Sequence, residues 1–259
     1  MSFVVLCGSG LTNRTESSDD VRKCFPVVSM SRYCLCAVLC CWMYVVPVWA
    51  AWDEPAGPWQ QVVEQDGIRI DVRPMQGTNV MAFRGQMLVH ARLQSLVALV
   101  QDTDNIPTWM HRIKRVTITQ TIDDHDFNVY MQLHSPWPFR DRDAWLHTTF
   151  RQNSKTGVVT VHSDSVEGGE GLAQGCVRMP KMTTEWVFTP LPNGVVRVLF
   201  TGFGLPGGVV PDWAVNLVVT DLPFGSLRNM QRQILRVRYQ QARFPGIDER
   251  ISDHSPNSR

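Results

Sequence analysis

Residues 127–133 read Phe-Asn-Val-Tyr-Met-Gln-Leu, in which apolar side chains alternate with more polar ones at every step. Because successive side chains of a β-strand point to opposite faces of a sheet, this stretch predicts a strand with two unlike faces. Val116 and Ile118 continue the alternation on an earlier strand. Further strands are predicted at 144–150, 158–162, 177–188 and 195–203, with turn-forming residues between them. Such a run of antiparallel strands predicts a strongly curved sheet.

The chain before these strands mixes extended and helical patterns. Strands are predicted at 68–72 and 80–89, and a short helix at 59–64. A further helix should end before the break at Ile106-Pro107. Its apolar face is formed by residues three and four positions apart, namely Leu93, Leu96, Val97 and Val100.

A long helix is predicted after the last strand, from about residue 212 to 239. Its apolar stripe comprises Trp213, Leu217, Thr220, Phe224, Leu227, Gln231 and Ile234. This stripe should face the concave side of the sheet. The predicted fold is therefore α+β and of the helix-grip type, in which a curved antiparallel sheet wraps around a long carboxy-terminal helix and encloses an apolar cavity.

The first 50 residues carry the pattern of an export signal. A short basic start at Met30-Ser31-Arg32 precedes the uncharged run 33–46, and Val48-Trp49-Ala50 ends in a small residue where cleavage is expected. We interpret residues 30–50 as a signal peptide that exports the protein, to the periplasm, with translation starting at Met30. Residues 33–51 are also long enough for an uncleaved membrane anchor, which is the alternative.

The rest of the chain divides into three parts. A proline- and glycine-rich linker is predicted at 51–58, one domain at 59–240, and a disordered tail at 241–259, while residues 1–29 are expected to be a disordered or non-native extension. Beyond residue 50 the basic and acidic side chains number 21 each, and this neutral balance argues against nucleic acid as a partner.

Motifs for catalysis or metal binding are not evident. Six of the seven cysteines precede residue 42, so Cys176 alone remains and no disulfide framework follows. The sequence contains no Gly-x-Ser-x-Gly elbow, no metal-spaced set of Cys and His, and no phosphate-binding loop. We therefore predict no cofactor, no metal and no catalytic residue.

Four short phrases point to a known family. They are Asp66-Gly67-Ile68 after Trp59, PWPFRDRDAW at 136–145, residues 175–178, and LPGGVVPDWAVNL at 205–217. In this order the phrases resemble the START domain, the lipid-transfer module related to steroidogenic acute regulatory protein. The resemblance spans roughly residues 59–239. It implies an apolar tunnel between the sheet and the last helix that holds one lipid, such as a sterol, phospholipid, ceramide or fatty acid.

The predicted lipid contacts combine the alternation in the strands with the stripe on the helix. They are Val116, Ile118, Val129, Met131, Leu133, Leu146, Thr148, Phe150, Leu217, Thr220, Phe224 and Leu227. Each of them could instead be ordinary core. Sterol-binding members of the family can carry a buried acid and arginine at the positions of Val129 and Thr148, and the absence of that pair here puts such a sterol contact in doubt. Thr148 and Thr220 remain as polar groups.

Several charged residues need a separate interpretation. Arg142 and Asp143 match the family's most regular dipeptide and are expected to fix a loop rather than bind ligand. Arg228, Arg232 and Arg236 suit the carboxyl end of a helix, and alternatively form a stripe that docks on anionic lipid head groups.

The function predicted from the sequence is non-catalytic lipid binding, with possible lipid transfer, by a monomer. A helix-grip enzyme of the cyclase or hydrolase type, acting on a small hydrophobic substrate, is the alternative. That alternative would gain support if His134 or Glu185 pointed into the cavity.

Overall fold

The computed structural model describes residues 55–167, 175–244 and 246–249, so the predicted extension and export signal lie outside the described residues. The strands are β1 (Gln60–Gln65), β2 (Ile68–Pro74), β3 (Met81–His90), β4 (Ile113–Asp123), β5 (Asp126–Leu133), β6 (Arg142–Gln152), β7 (Val159–Ser165), β8 (Val177–Arg178), β9 (Lys181–Leu191) and β10 (Val195–Leu205). The helices are α1 (Leu93–Gln101), α2 (Ile106–Trp109), α3 (Asp212–Gln233) and α4 (Val237–Gln240).

One large sheet contains these strands in the order β1-β2-β3-β10-β9-β7-β6-β5-β4, and β8 pairs with β6 beside this path. All neighbours on the path are antiparallel, whereas the short β8 runs parallel to β6. Helix α3 packs on β2 and β3, and it also meets α2, which packs on β4 near the opposite edge. The sheet therefore curves around α3, as the helix-grip prediction requires.

The close packing of α3 on the sheet depends on a glycine in β3. A Cβ added to Gly85 would lie 2.7 Å from Cδ1 of Leu227 on α3 and 3.0 Å from Cδ1 of Ile70. Leu227, Met230 and Ile234 are fully buried at this contact side of the helix. The absence of a side chain at residue 85 thus lets the carboxyl half of α3 lie directly on the strand. Of the described helices, none is long and apolar enough to cross a membrane.

Three predicted elements are corrected by the structure. Residues 60–65 form strand β1 rather than part of a helix, because they pair with β2, whose inner side chains belong to the core. The strand predicted at 177–188 is two strands separated by Pro180, which cannot donate to a ladder. Helix α3 ends at Gln233, and Arg236 is extended ahead of α4.

The tail predicted to be disordered is in part ordered. Tyr239 in α4 donates a hydrogen bond of 2.8 Å to the carboxylate of Asp102, and Phe244 and Ile247 are buried in the core. The carboxylate of Glu249 accepts hydrogen bonds from the backbone N–H groups of Leu93 and Gln94, at 3.1 and 2.7 Å. Arg92 at the start of helix α1 provides no side-chain cap, so these bonds satisfy the amino terminus of the helix and hold residues 246–249 in place.

Two adjacent glycines, Gly207 and Gly208, connect β10 to α3, both with φ of +65°. A Cβ at Gly207 would lie only 2.4 Å from the carbonyl oxygen of Arg178, whereas a Cβ at Gly208 would meet nothing closer than 3.9 Å. We therefore expect Gly207→Ala to lower the free energy of unfolding by about 2–4 kcal/mol, because backbone strain and a steric clash add together.

The matched control is Gly208→Ala, which carries the backbone strain alone and should cost about 1–2 kcal/mol. Urea unfolding of both variants measures the difference. Equal losses of stability would show that the contact with the carbonyl of Arg178 does not constrain this connection.

Candidate functional site

Three voids lie between the inner face of the sheet and the helices, with volumes of about 90, 70 and 70 Å³. The mouth void lies under the amino half of α3, next to residues 133–142 and 204–210. The middle void shares Leu133, Met179, Gly204, Val218 and Val219 with the mouth void. The deep void shares Met110, Met182 and Thr184 with the middle void. The voids therefore form one row that leads into the domain.

Four of the eight residues that neighbouring voids share are methionine or leucine. Met179 and Leu133 border both the mouth and the middle void, and Met110 and Met182 border both the middle and the deep void. Methionine is unbranched and has three side-chain torsions, so it adapts to irregular spaces at low cost. Rotation of these side chains is therefore the smallest change that would join neighbouring voids.

Strands β4, β5 and β6 supply much of the deep void. Their lining residues include six of the predicted lipid contacts, namely Val116, Val129, Met131, Leu146, Thr148 and Phe150. The Thr148 and Ser163 hydroxyl oxygens lie 2.9 Å apart and hydrogen bond to each other. No charged side chain is among the described residues that line this void. The deep end is thus apolar apart from neutral hydroxyl and indole N–H groups, and an ion buried there would be unpaired.

Two of the predicted contacts on the strands, Leu133 and Ile118, do not border the deep void. Leu133 borders the mouth and middle voids. Ile118 faces the same side as its cross-strand partner Val129, but it lies on the edge strand β4, where it is exposed. The prediction that Ile118 lies inside is therefore wrong. Strand β4 has a paired strand on one side only, and its outer part is exposed.

The predicted face of α3 is rotated in its amino half. Leu217 is 44% exposed, so its interior placement is wrong, and neither Thr220 nor Phe224 borders a void. Leu227 is buried against β3 rather than beside a void. The helix residues that line the voids are Ala214, Val215, Val218, Val219 and Leu222. The i, i+4, i+8 spacing of Ala214, Val218 and Leu222 is visible in the sequence. Because residues 217–219 are all apolar, however, the sequence does not decide whether Leu217 or Val218 faces the sheet.

Arg142 is the buried charge beside the mouth void. It is 7% exposed, and its guanidinium donates to the carbonyl oxygens of Pro206 (3.1 Å), Arg140 (2.5 Å) and Gly207 (3.4 Å) and to the Ser135 hydroxyl (3.2 Å). Burial lowers the pKa of Arg142 from its usual value, although arginine keeps its charge in proteins. Arg142 therefore joins the 135–140 loop to the connection between β10 and α3.

Asp143 does not pair with its neighbour Arg142. Its carboxylate is fully buried and accepts hydrogen bonds from Nε of Arg178 at 2.9 Å and from the hydroxyl of Tyr130 at 3.1 Å. The pair joins β6 to the parallel strand β8, where Asp143 and Arg178 are partners in the register. Both members of the dipeptide thus hold backbone segments in place, through different partners.

Asp141 binds two residues that line the mouth void, His134 and Ser135. Burial raises the pKa of its carboxyl, but hydrogen bonds from Lys114 and from the backbone N–H of Ser135 outweigh this effect, and the pKa is lowered overall. His134 also lies near this carboxylate, with Nδ1 3.1 Å from Oδ1 of Asp141, and it borders the mouth void with an exposed ring. Asp141 is therefore ionised, and its carboxylate is engaged by Lys114 of β4, by His134 and by the backbone of Ser135.

Apolar side chains surround the mouth void on the outside. Trp137 is 89% exposed and Val209 is 97% exposed, and the half-exposed ring of Trp213 contacts that of Phe139 with centroids 5.9 Å apart. With Leu217, these residues come from the 135–140 loop, the β10–α3 connection and the first turns of α3. We refer to Trp137, Val209, Trp213 and Leu217 as the mouth rim. Exposed apolar patches of this kind mark contacts with proteins or membranes.

A large antiparallel sheet closed by a carboxy-terminal helix over a row of apolar voids defines a helix-grip protein. A family model of the START domain matches residues 52–232, which is more than half of the chain. The chain therefore belongs to the START domain family, as its four sequence phrases predicted.

Similar proteins are known from bacteria and from humans. A STAR-related lipid transfer protein of Xanthomonas axonopodis is 26% identical, its structure is covered completely by 70% of this chain, and the TM-score is 0.63. An uncharacterized protein of Pseudomonas aeruginosa is 27% identical over 176 residues, which are 68% of this chain and 86% of that protein. Human StAR-related lipid transfer protein 5 shares the fold, with 17% identity, a TM-score of 0.63, and coverage of 69% of this chain and 87% of that one.

Proposed function

We propose that the protein binds one lipid in the row of voids and transfers it between membranes without chemical change. The observation that carries this proposal is a row of apolar voids that begins under an exposed apolar rim. Burying hydrocarbon contributes about 25 cal/mol per Å², so an apolar interior is sufficient to hold a lipid chain. The name of the Xanthomonas relative, a lipid transfer protein, supports the same function. Sterols, phospholipids and fatty acids are the candidate classes.

Lipid entry requires the voids to join. The amino half of α3, from Ala214 to Val219, forms one side of the mouth and middle voids, and the methionine walls separate the voids behind it. Rotation of Met179, Met110 and Met182 lengthens the space, and an outward shift of this half of α3 widens it. Because the carboxyl half of α3 is fixed on Gly85 by Leu227, we expect the amino half to make the larger movement.

The mouth rim is our candidate for the surface that contacts a membrane during exchange. Tryptophan side chains favour the interface between water and lipid, where both their apolar body and their N–H group are satisfied. Trp137 lies on the 135–140 loop and Trp213 on the first turn of α3, and residues of both elements border the mouth void. Their insertion would bring the mouth void directly against the bilayer.

The corresponding prediction is that Trp137→Ala/Trp213→Ala slows lipid transfer between neutral vesicles by roughly tenfold, because about 1.4 kcal/mol of interfacial binding is lost. Transfer of a fluorescent lipid from donor to acceptor vesicles measures the rate, and tryptophan quenching by brominated lipid measures insertion. The control is Leu235→Ala, which removes an exposed apolar side chain beyond the other end of α3. Unchanged transfer by the double variant would contradict docking through the rim.

The alternative docking surface, formed by Arg228, Arg232 and Arg236, leads to a separate prediction for the same transfer assay. Arg228 and Arg232 are exposed in the carboxyl half of α3, and the Arg228 guanidinium lies over the Phe224 ring at 5.5 Å. At 1.5 Å per residue, Arg232 lies about 27 Å along the helix from Ala214. If Arg228, Arg232 and Arg236 dock on anionic head groups, their replacement by glutamine should slow transfer only from anionic vesicles, and added salt should mask the difference.

The enzyme alternative would require a group inside the cavity that can move a proton. His134 borders the mouth void, but its ring is exposed and hydrogen bonded to Asp141. Glu185 lies near His162, at 3.5 Å, and is not among the residues that line the three voids. Recovery of an added lipid in unaltered form after prolonged incubation tests the non-catalytic proposal, and a converted product would contradict it.

We place this activity outside the cytoplasm, on the strength of the predicted export signal at residues 30–50. Cell fractionation with amino-terminal sequencing tests the placement. A chain that begins near Ala51 in the periplasmic fraction supports cleavage and export. A full-length chain in the membrane fraction supports the anchor at 33–51, and a cytosolic chain would contradict both.

A further inference from the structure

The mouth void contains a positive charge that no carboxylate neutralises at short range. Arg142 borders this void, and no carboxylate of the described residues lies within salt-bridge distance of its guanidinium. Asp141, which acts on Arg142 from beyond that distance, is bonded to Lys114 at 2.6 Å and to His134 at 3.1 Å. Buried charges in proteins are normally paired, so the missing partner calls for an explanation.

The second arginine of the mouth provides the contrast. Arg112 also borders the void, and its guanidinium lies 2.6 Å from the carboxylate of Asp221 on α3. His111 adds a second contact to the same carboxylate at 3.0 Å. The charge of Arg112 therefore has a carboxylate within salt-bridge distance, whereas the Asp141 carboxylate acts on Arg142 only from beyond that distance.

The hydrogen-bond count at Arg142 leaves one donor available. A guanidinium carries five N–H groups, and Arg142 uses Nε once, Nη1 twice and Nη2 once. The single bond from Nη2, to the carbonyl oxygen of Gly207, is also the longest of the four at 3.4 Å. An anionic oxygen next to Nη2 would gain a charge-assisted hydrogen bond and would neutralise the buried charge.

The deep void excludes the opposite orientation for a charged lipid. Its lining is apolar except for neutral groups such as the Thr148, Ser163 and Thr184 hydroxyls, so an anion there would lose its hydration without gaining a counter-charge. An apolar chain suits that end. The charge distribution along the row of voids thus orients a lipid with its chain inward and its head at the mouth.

We infer that Arg142 is a head-group site for a carboxylate or phosphate carried on an apolar chain, and that the protein prefers anionic single-headed lipids to neutral ones of the same length. This inference rests on the proposed lipid-binding function. It extends the role of Arg142 beyond fixing the loop, since the same guanidinium that holds the 135–140 loop also presents Nη2 to the ligand.

The test compares matched probes on the full-length protein at neutral pH. Palmitate and hexadecan-1-ol differ in the head group alone, and each is titrated against the protein loaded with the neutral dye Nile red. We expect palmitate to displace the dye at concentrations roughly tenfold or more lower than hexadecan-1-ol. Acetate and inorganic phosphate are added separately. Displacement by these free anions at millimolar concentration would contradict a site that needs the chain.

Variants then assign the preference to one residue. Arg142→Gln should reduce the ratio between the two probes to near one, whereas Arg140→Gln should leave it unchanged, because Arg140 is exposed on the same loop and does not border the void. Arg142→Lys keeps the charge and should retain part of the preference. If Arg142→Gln fails to fold, the assignment rests on Arg142→Lys, in which an unchanged ratio would contradict it, and the comparison of probes on the unsubstituted protein still tests the preference itself.

The outcomes separate the head-group site, its assignment to Arg142 and the proposed lipid binding. Equal displacement by palmitate and hexadecan-1-ol would overturn the head-group site and leave lipid binding in place. A preference that survives in folded Arg142→Gln would overturn the assignment to Arg142. Failure of Nile red and both probes to bind would instead contradict the proposed function itself.

Discussion

Replacing Val218 with tryptophan should abolish lipid retention and leave the fold intact. Val218 borders both the mouth and the middle void, so a larger side chain at this position fills the passage that a lipid chain must cross. If the indole excludes about 100 Å² of lipid surface, the lost binding is about 2.5 kcal/mol, or between tenfold and a hundredfold in affinity. The voids on either side, of about 90 and 70 Å³, provide room for part of the ring.

The matched control is Leu217→Trp, one residue away on the exposed face of α3. Both variants add an indole to the same helix, and only Val218→Trp places it in the row of voids. Nile red binding and co-purifying lipid measure retention, and circular dichroism with thermal unfolding measures the fold. Normal retention by a folded Val218→Trp protein would mean that the lipid does not occupy the mouth and middle voids.

Removing the carboxylate of Asp143 should lower the free energy of unfolding strongly. The side chain is 0% exposed and holds Arg178 through two hydrogen bonds, of 2.9 and 3.2 Å. Loss of one partner of a buried ion pair typically costs about 3–5 kcal/mol, and partial exposure of Arg178 reduces the expected loss to about 2–4 kcal/mol for Asp143→Ala. Urea unfolding measures this loss.

A double-mutant cycle separates the ion pair from other effects of the substitution. Arg178→Met removes the charge left behind, so Asp143→Ala/Arg178→Met should lose less stability than the sum of the single variants. Glu64→Ala, on the exposed strand β1, removes a carboxylate without a buried partner and should change stability by less than about 0.5 kcal/mol. Additive losses would show that Asp143 and Arg178 are not energetically coupled.

The strand alternation was the most reliable predictor of the interior. Residues 127–133 form most of β5, and Val129 and Met131 border the deep void on the face that the period-two pattern indicates. The alternation predicts the buried face of β5 correctly because β5 is paired with a strand on each side and one of its faces is buried along its length. It fails at Ile118, since the sequence pattern does not show that β4 is an edge strand.

The buried face of α3 could be predicted from the sequence only in the carboxyl half of the helix. Leu227 and Ile234 lie on the buried side as predicted, because the polar residues around them leave one apolar face. Residues 217–219 are all apolar, so the apolar pattern fits equally well when the helix is turned by one residue and Val218 replaces Leu217 on the inner face. The buried Arg142 was expected to be structural, but its unpaired charge depends on the positions of Asp141 and Asp143, which sequence does not provide.

Native mass spectrometry of the full-length protein, followed by lipid extraction of the same sample, tests the lipid-binding proposal most directly. The account predicts a retained mass of lipid size at a ratio of one per chain, lost in Val218→Trp and kept in Leu217→Trp. A protein that stays free of lipid, even after incubation with sterols, fatty acids and phospholipids, would contradict lipid binding and favour an enzyme that acts on a smaller substrate.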